Sequence, residues 1–188
     1  MNAACTNLSA EGTRHHIRGA LAAGATREEI LMILKIASLL SIHTCSLGAP
    51  ILLEEAKAAG VKPAPKETVA TPVCDKMKAA GQWNTAWDGF FEIDPKWTEA
   101  IIGASLPVYT SGILTPKLAE FLSIAVDASI THMYAPGTRR HIQTALKLGA
   151  TVEEIMEVFK ICVSQGLMAT NLGVPILADE LERIAKET

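Results

Sequence analysis

The stretch THMYAPGTRRHIQTALKLGATVEEI, residues 131–155, reads as one helix, a turn of about two residues and the start of another helix. Pro136 suits a first helical turn, where its missing N–H is not needed, and Gly149 suits a helix end that closes in left-handed backbone. Ile142, Ala145 and Leu146 give the first helix its apolar positions. Thr151 and Glu154 stand at capping-box spacing, so a second helix begins at once and continues through Ile155, Val158, Phe159 and Cys162. Two helices joined so tightly must fold back on each other as a hairpin.

The chain writes this phrase twice. A shift of 125 residues places Gly12-Thr13-Arg14 on Gly137-Thr138-Arg139, His16-Ile17 on His141-Ile142, and Gly24-Ala25-Thr26 on Gly149-Ala150-Thr151. The register continues without a gap to Pro50-Ile51-Leu52 and Pro175-Ile176-Leu177. Solenoid repeats have periods of roughly 20–50 residues, so each copy here is better read as a small helical domain. In the second copy Gly173 and Pro175 should break the pattern before a last helix of Ile176, Leu177, Leu181 and Ile184.

Upstream of the second hairpin, Asp94-Pro95 and Thr115-Pro116 carry helix-start signals for DPKWTEAIIGASL and TPKLAEFLSIAVDASI. With no run of alternating strand residues, the expected fold class is all-α, two duplicated helical domains with the first copy incomplete. Residues 1–60 form the partial copy, 61–87 a linker with one short helix (VCDKMKAAGQW), and 88–188 the complete copy. Under the same shift Met1 matches Val126, so the first copy lacks two partner helices. Apolar exposure costs about 25 cal/mol per Å², and the first copy is therefore expected to dock on the second or on another chain.

At 188 residues and 49% hydrophobic content the chain suffices for one sizeable core or two small ones. A net charge of −3 without blocks of like charge leaves no footprint for nucleic acid or an anionic membrane. The start shows no basic and then apolar leader, and no apolar run is expected to approach the roughly 18 residues of a bilayer span; a cytoplasmic protein is expected. The four cysteines are scattered with no C-x-x-C pair, which argues against a zinc knuckle or local dithiol and for buried thiols. No H-E-x-x-H motif occurs among the five histidines, and neither a metal nor another cofactor is expected.

The string H-x-x-A-L-x-x-G-A-T-x-E-E-I, with an acidic residue on the preceding helix, resembles the carboxymuconolactone decarboxylase and AhpD-like alkylhydroperoxidase superfamily. The resemblance covers Leu114 to about Leu181 well and Asn2 to about Glu55 in part. It implies a helical domain that assembles into homo-oligomers, with its site beside the hairpin. It places His141 at the motif histidine and Glu120 near the upstream glutamate. The peroxidase branch uses a C-x-x-C dithiol before that histidine, whereas this chain has His132, Tyr134 and Ala135 in the region. The branch that decarboxylates a carboxylated lactone in aromatic degradation needs no dithiol and fits better, although its local sequence differs from GTRRH.

The resemblance and the residues together nominate His141, Glu120, His132 and Tyr134 as catalytic, and Arg140, Arg139 and Asp127 as substrate-binding. Imidazole titrates near neutral pH and can exchange a proton with substrate. His141 can equally be structural, since it recurs as His16. Glu120 and Asp127 lie seven residues apart and share a helix face, which a proton relay or a wetted surface would use equally well. His132 and Tyr134 replace Asn7 and Ser9 of the first copy, so only the second copy can hold a whole site; capping and core coverage are the plainer roles. An arginine can grip a carboxylate, but Arg139 repeats as Arg14 and a structural salt bridge suits it better. His43 and Cys45, matching Met168 and Thr170, are read as buried against a neighbouring helix, although the second copy's pocket is within their possible reach. Trp83, Trp87 and Trp97 should cover apolar surface near the linker. The reading is thus an acid–base enzyme for a small carboxylated or lactone-like metabolite, with a thiol peroxide reductase and a non-catalytic binding or assembly module as alternatives.

Overall fold

The computed structural model describes residues 1–64 and 68–187, and among these the chain is all-α. The first 60 residues form α1 (Asn2–Cys5), α2 (Ala10–Ala22), α3 (Arg27–Leu39), a 3₁₀ turn (Leu40–Ile42) and α4 (His43–Ala58). The middle holds α5 (Pro72–Ala79), a second 3₁₀ turn (Thr85–Trp87) and α6 (Asp88–Ile93). Then come α7 (Pro95–Thr110), α8 (Pro116–Asp127), α9 (Ala135–Lys147), α10 (Val152–Ser164) and α11 (Leu167–Glu187).

The helix starts follow from local chemistry. Thr26 with Glu29, and Thr151 with Glu154, both form complete capping boxes, so four otherwise orphaned backbone donors are met by side chains. Asp94 accepts from the Trp97 N–H and Thr115 from the Leu118 N–H, each ahead of a proline at the first helical position. Backbone geometry also echoes between the copies. Gly24 and Gly149 close their helices at φ 92° and 82°, and the matching residues Leu8 and Met133 both sit in left-handed backbone, at 48° and 47°. Left-handed backbone is uncommon for side-chain-bearing residues, and here it falls at matched positions although the bonds around it differ: the Ser9 N–H donates to Ala3 O and the Tyr134 N–H to Asp127 O.

Three expectations need correction. Gly173 and Pro175 do not interrupt the last helix: α11 runs straight through them, as α4 runs through Pro50. Proline forfeits one backbone hydrogen bond, a loss a long helix can absorb between intact turns. The middle segment carries a 3₁₀ turn in addition to its one short helix. Lastly, residues 36–53 and 161–178 contain no charge, and the helical stretches Arg27–Ala58 and Val152–Glu187 are each long and apolar enough to cross a bilayer. Scattered Ser, Thr, His, Gly and Pro disguised these runs as polar without adding a charge.

Three apolar clusters hold the helices together. Met32, Ile36 and Leu40 pack with Val108, Leu114, Ala119 and Val126, which joins α3 to α7 and α8. Ala49 of α4 meets Cys74, Trp87, Phe90 and Ile102, tying in the middle segment. Ile124, Ala145, Ala150 and Ile155 form the third cluster, within α8 to α10. The first copy therefore docks on the second within one chain. The end of the chain is different: no residue of α11 is buried, and Leu172, Ile176, Leu177, Leu181 and Ile184 are all exposed.

Ile36 is 2% exposed in the cluster that spans both halves. Ile36→Ala should cost about 2–5 kcal/mol through lost burial and a residual cavity, read by urea denaturation. The transition should stay single; two separated transitions would show that the halves fold independently.

Candidate active site

Helix α8 presents two carboxylates to the interior. Glu120 is 7% exposed and Asp127 is fully buried, two turns apart on one face. Burying a carboxylate is costly unless partners replace its water, and α9 supplies the first of them. His141 Nδ1 stands 2.6 Å from Glu120 Oε2, and Arg140 Nη2 stands 2.9 Å from His141 Nε2. Guanidinium can only donate, so Nε2 accepts and the ring hydrogen lies on Nδ1, donated to Glu120. His141 Nε2 also lies 3.8 Å from Asp127 Oδ2.

A second group of rings gathers on the other oxygen of Asp127. His43 Nδ1, from α4, is 3.0 Å from Oδ1, and His132 Nε2 is 3.7 Å from the same atom. The two imidazoles face each other at 3.2 Å. Tyr134 stacks on His43 with ring centroids 4.3 Å apart, and its hydroxyl hydrogen-bonds with Ser46. The turn from α8 to α9 produces this convergence. The His132 and Met133 N–H groups donate to Ser129 O and the Tyr134 N–H to Asp127 O, with Met133 supplying the left-handed residue. Gly137 completes it. A Cβ there would collide with Asp127 Oδ2 and lie 2.7 Å from Tyr134 Cδ1, so a bare backbone is what lets α9 approach α8.

Burial holds His132 below the ordinary histidine range; His43 adds to this and Asp127 opposes it. Burial likewise raises the phenol of Tyr134, against its hydrogen bond with Ser46. Tyr109 on α7 is raised chiefly by burial and further by the Glu120 charge, while its hydrogen bond with Ser123 opposes the shift.

Beside this cluster lies a cavity of about 690 Å³. Glu120, Arg140, Tyr109 and His43 supply much of its polar lining, and Ile102, Leu106, Trp83 and Trp87 are among its apolar walls. Those walls come from α3, α4, the middle segment and α7 as well as from α8 and α9. Arg140 Nε, beside the cavity, and the Asp127 carboxylate, in the neighbouring ring cluster, are buried without an aligned partner among the described residues.

The structure thus brings His141, Glu120, Arg140 and Asp127 together. Only Glu120 and Arg140 of these border the cavity; His141 is fully buried behind them. His132 and Tyr134 join Asp127 rather than the cavity lining. Arg139 is exposed and lines a separate surface depression together with Asp127; it has no carboxylate within ion-pair distance among the described residues, so the expected salt bridge is not formed. His43 is buried as expected, yet it also reaches the cavity and Asp127. Tyr109 was missed; a tyrosine on an apolar helix carries no sequence signal of function.

These features define a class: helical-hairpin proteins in which a buried carboxylate–imidazole pair backs a walled cavity. The chain belongs to the carboxymuconolactone decarboxylase family. The model of the Carboxymuconolactone decarboxylase family matches residues 95–172. A crystal structure from Burkholderia xenovorans LB400, provisionally named a gamma-carboxymuconolactone decarboxylase subunit, is 38% identical, with a TM-score of 0.84. The match covers 96% of this chain and 74% of that one. Comparison with curated proteins finds no match.

Gly137→Ala should destabilise the fold by roughly 1–3 kcal/mol through overpacking against Asp127 and Tyr134, measured by thermal or chemical denaturation. Unchanged stability would mean that the α8–α9 contact has slack.

Proposed function

We propose that this chain is a decarboxylase- or isomerase-like lyase of its family, acting on a small carboxylated or lactone-like metabolite by acid–base chemistry. One observation carries this reading: Glu120, His141 and Arg140 form a continuous chain at 2.6 and 2.9 Å, and its two outer members border the cavity. Glu120 is then the group that exchanges a proton with substrate, and His141, hydrogen-bonded behind it, is the positioning residue and proton reserve. Arg140 binds the substrate carboxylate through donors that His141 does not occupy, including the buried Nε. As the bond to the carboxyl carbon breaks, or a proton leaves the neighbouring carbon, negative charge gathers on an enolate-like oxygen. Arg140 and the Tyr109 hydroxyl stabilise that charge. Asp127, His132 and Tyr134 support the site from behind rather than touching substrate.

The family alone also accommodates a thiol peroxide reductase, and the thiols weigh against it here. Burial pushes Cys5 and Cys162 up, and it is the largest influence raising Cys74 to about 12. A nucleophilic cysteine needs the opposite shift. A non-catalytic binding module draws support from the complete burial of His141, whose two nitrogens are both satisfied. The same reading includes a cytoplasmic homo-oligomer in which the exposed apolar face of α11 is covered by another copy, in line with the subunit name of the relative.

The test is turnover on a panel of small carboxylated lactones, followed by loss of carboxylate or shift of the double bond. Glu120→Gln and His141→Ala should each lower kcat by about 10²–10⁴-fold, the usual worth of a positioned acid or base. Full activity in both variants on a verified substrate would remove this assignment. Separately, a thiol reagent should titrate at most Cys5 and Cys45 in the native protein and all four cysteines after denaturation, since Cys74 and Cys162 are buried. Prompt peroxide-driven loss of two native thiols would instead favour the reductase.

A further inference from the structure

We propose that His43, Asp127 and His132 form a binding site for a divalent first-row transition-metal cation, separate from the Glu120–His141 pair. The three ligand atoms lie within 4.8 Å of one another, with His43 Nδ1 to Asp127 Oδ1 at 3.0 Å, His43 Nδ1 to His132 Nε2 at 3.2 Å, and His132 Nε2 to Asp127 Oδ1 at 3.7 Å. Zinc–nitrogen and zinc–oxygen bonds of about 2.0–2.1 Å in a tetrahedral array separate the donor atoms by roughly 3.3 Å, so these three spacings bracket what one ion requires.

Proton bookkeeping at the cluster points the same way. His43 Nδ1 carries one hydrogen at most, yet it faces a second imidazole nitrogen and a carboxylate oxygen together. The aligned contact joins the two rings, and neither oxygen of Asp127, though fully buried, receives an aligned hydrogen bond among the described residues. Lone pairs therefore converge on one point with too few hydrogens between them, which is the condition that a cation resolves. Two imidazoles and one carboxylate suit zinc, cobalt or iron(II) in preference to magnesium or calcium, which favour oxygen donors. Tyr134, stacked on His43, fixes that ring in the manner of an outer-shell partner. Three protein ligands leave a fourth position for water.

The ligand set also fits the asymmetry of the repeat. The matched positions Met168, Asn2 and Asn7 replace one imidazole with a thioether, the carboxylate with an amide and the other imidazole with an amide. The site thus requires His43 from the first copy and His132 from the second, and neither copy can build it alone.

The experiment loads chelator-treated full-length protein with Zn²⁺ or Co²⁺, removes excess ion by desalting, and measures metal per chain and the visible spectrum of the cobalt form. The expected result is one ion per chain and the intense bands of low-coordinate cobalt. His132→Asn changes a half-buried residue to the type found at position 7 and should fold normally by circular dichroism. It should weaken binding by more than the roughly 10–100-fold that an outer-shell change costs. Failure of the wild-type protein to retain either ion, or retention unchanged in His132→Asn, overturns the proposal. So does loss of the ion on changing His15 and His16 to alanine with His132 intact. None of these readouts depends on turnover, so the acid–base reading and the metal site stand or fall separately.

Discussion

Two carboxylates buried on a single helix set the terms for the rest of this molecule. Without partners, Glu120 and Asp127 would make α8 a poor core element, since a desolvated charge costs far more than the neighbouring apolar residues return. Each is met from a different direction. Helix α9 brings His141 to Glu120, with Arg140 donating to the other nitrogen of that ring, and α4 brings His43 to Asp127, joined by His132 from the turn between α8 and α9. The docking of the first copy is thus an electrostatic matter as well as an apolar one. Ile36 and its neighbours fill the seam, while His43 supplies a polar contact that α8 would otherwise lack.

This division explains the unequal copies. The first retains the hairpin, its capping box and its left-handed turn residue, which are the parts that make a packing unit. It has Asn2 where the second has Asp127, and Asn2 buries itself by donating to Ala125 O. An amide there closes a contact and needs no counter-charge. The buried carboxylates lie in the second copy, and the first contributes cavity wall and one imidazole, His43.

Much of the fold was legible because helix punctuation is local. Thr151 with Glu154, Asp94-Pro95 and Thr115-Pro116 each act within four residues, and the structure realises all three. Pro175 misled because a proline's effect depends on the length of helix around it, which a short window does not show. At the site, seven-residue spacing was enough to put Glu120 and Asp127 on one face, and the family motif singled out His141. The partition between them was not legible. Which residues border the cavity, and which support from behind, depends on how α4 and the middle segment close over α8. Arg139 and Arg140 are adjacent in sequence yet line different hollows, a difference set by the roughly 100° turn between consecutive helical residues. His43 comes from an element far away along the chain, and Tyr109 from the end of the helix before α8, where neighbouring residues say nothing about the site.

The cavity is walled in part by the segment around Met77, Gln82, Trp83 and Asn84, which belongs to neither copy of the repeat. Under the proposed function, reactivity and selectivity are therefore written in different parts of the gene: drift in that inserted stretch would reshape which molecules are admitted while the acid and imidazole on α8 and α9 stay untouched.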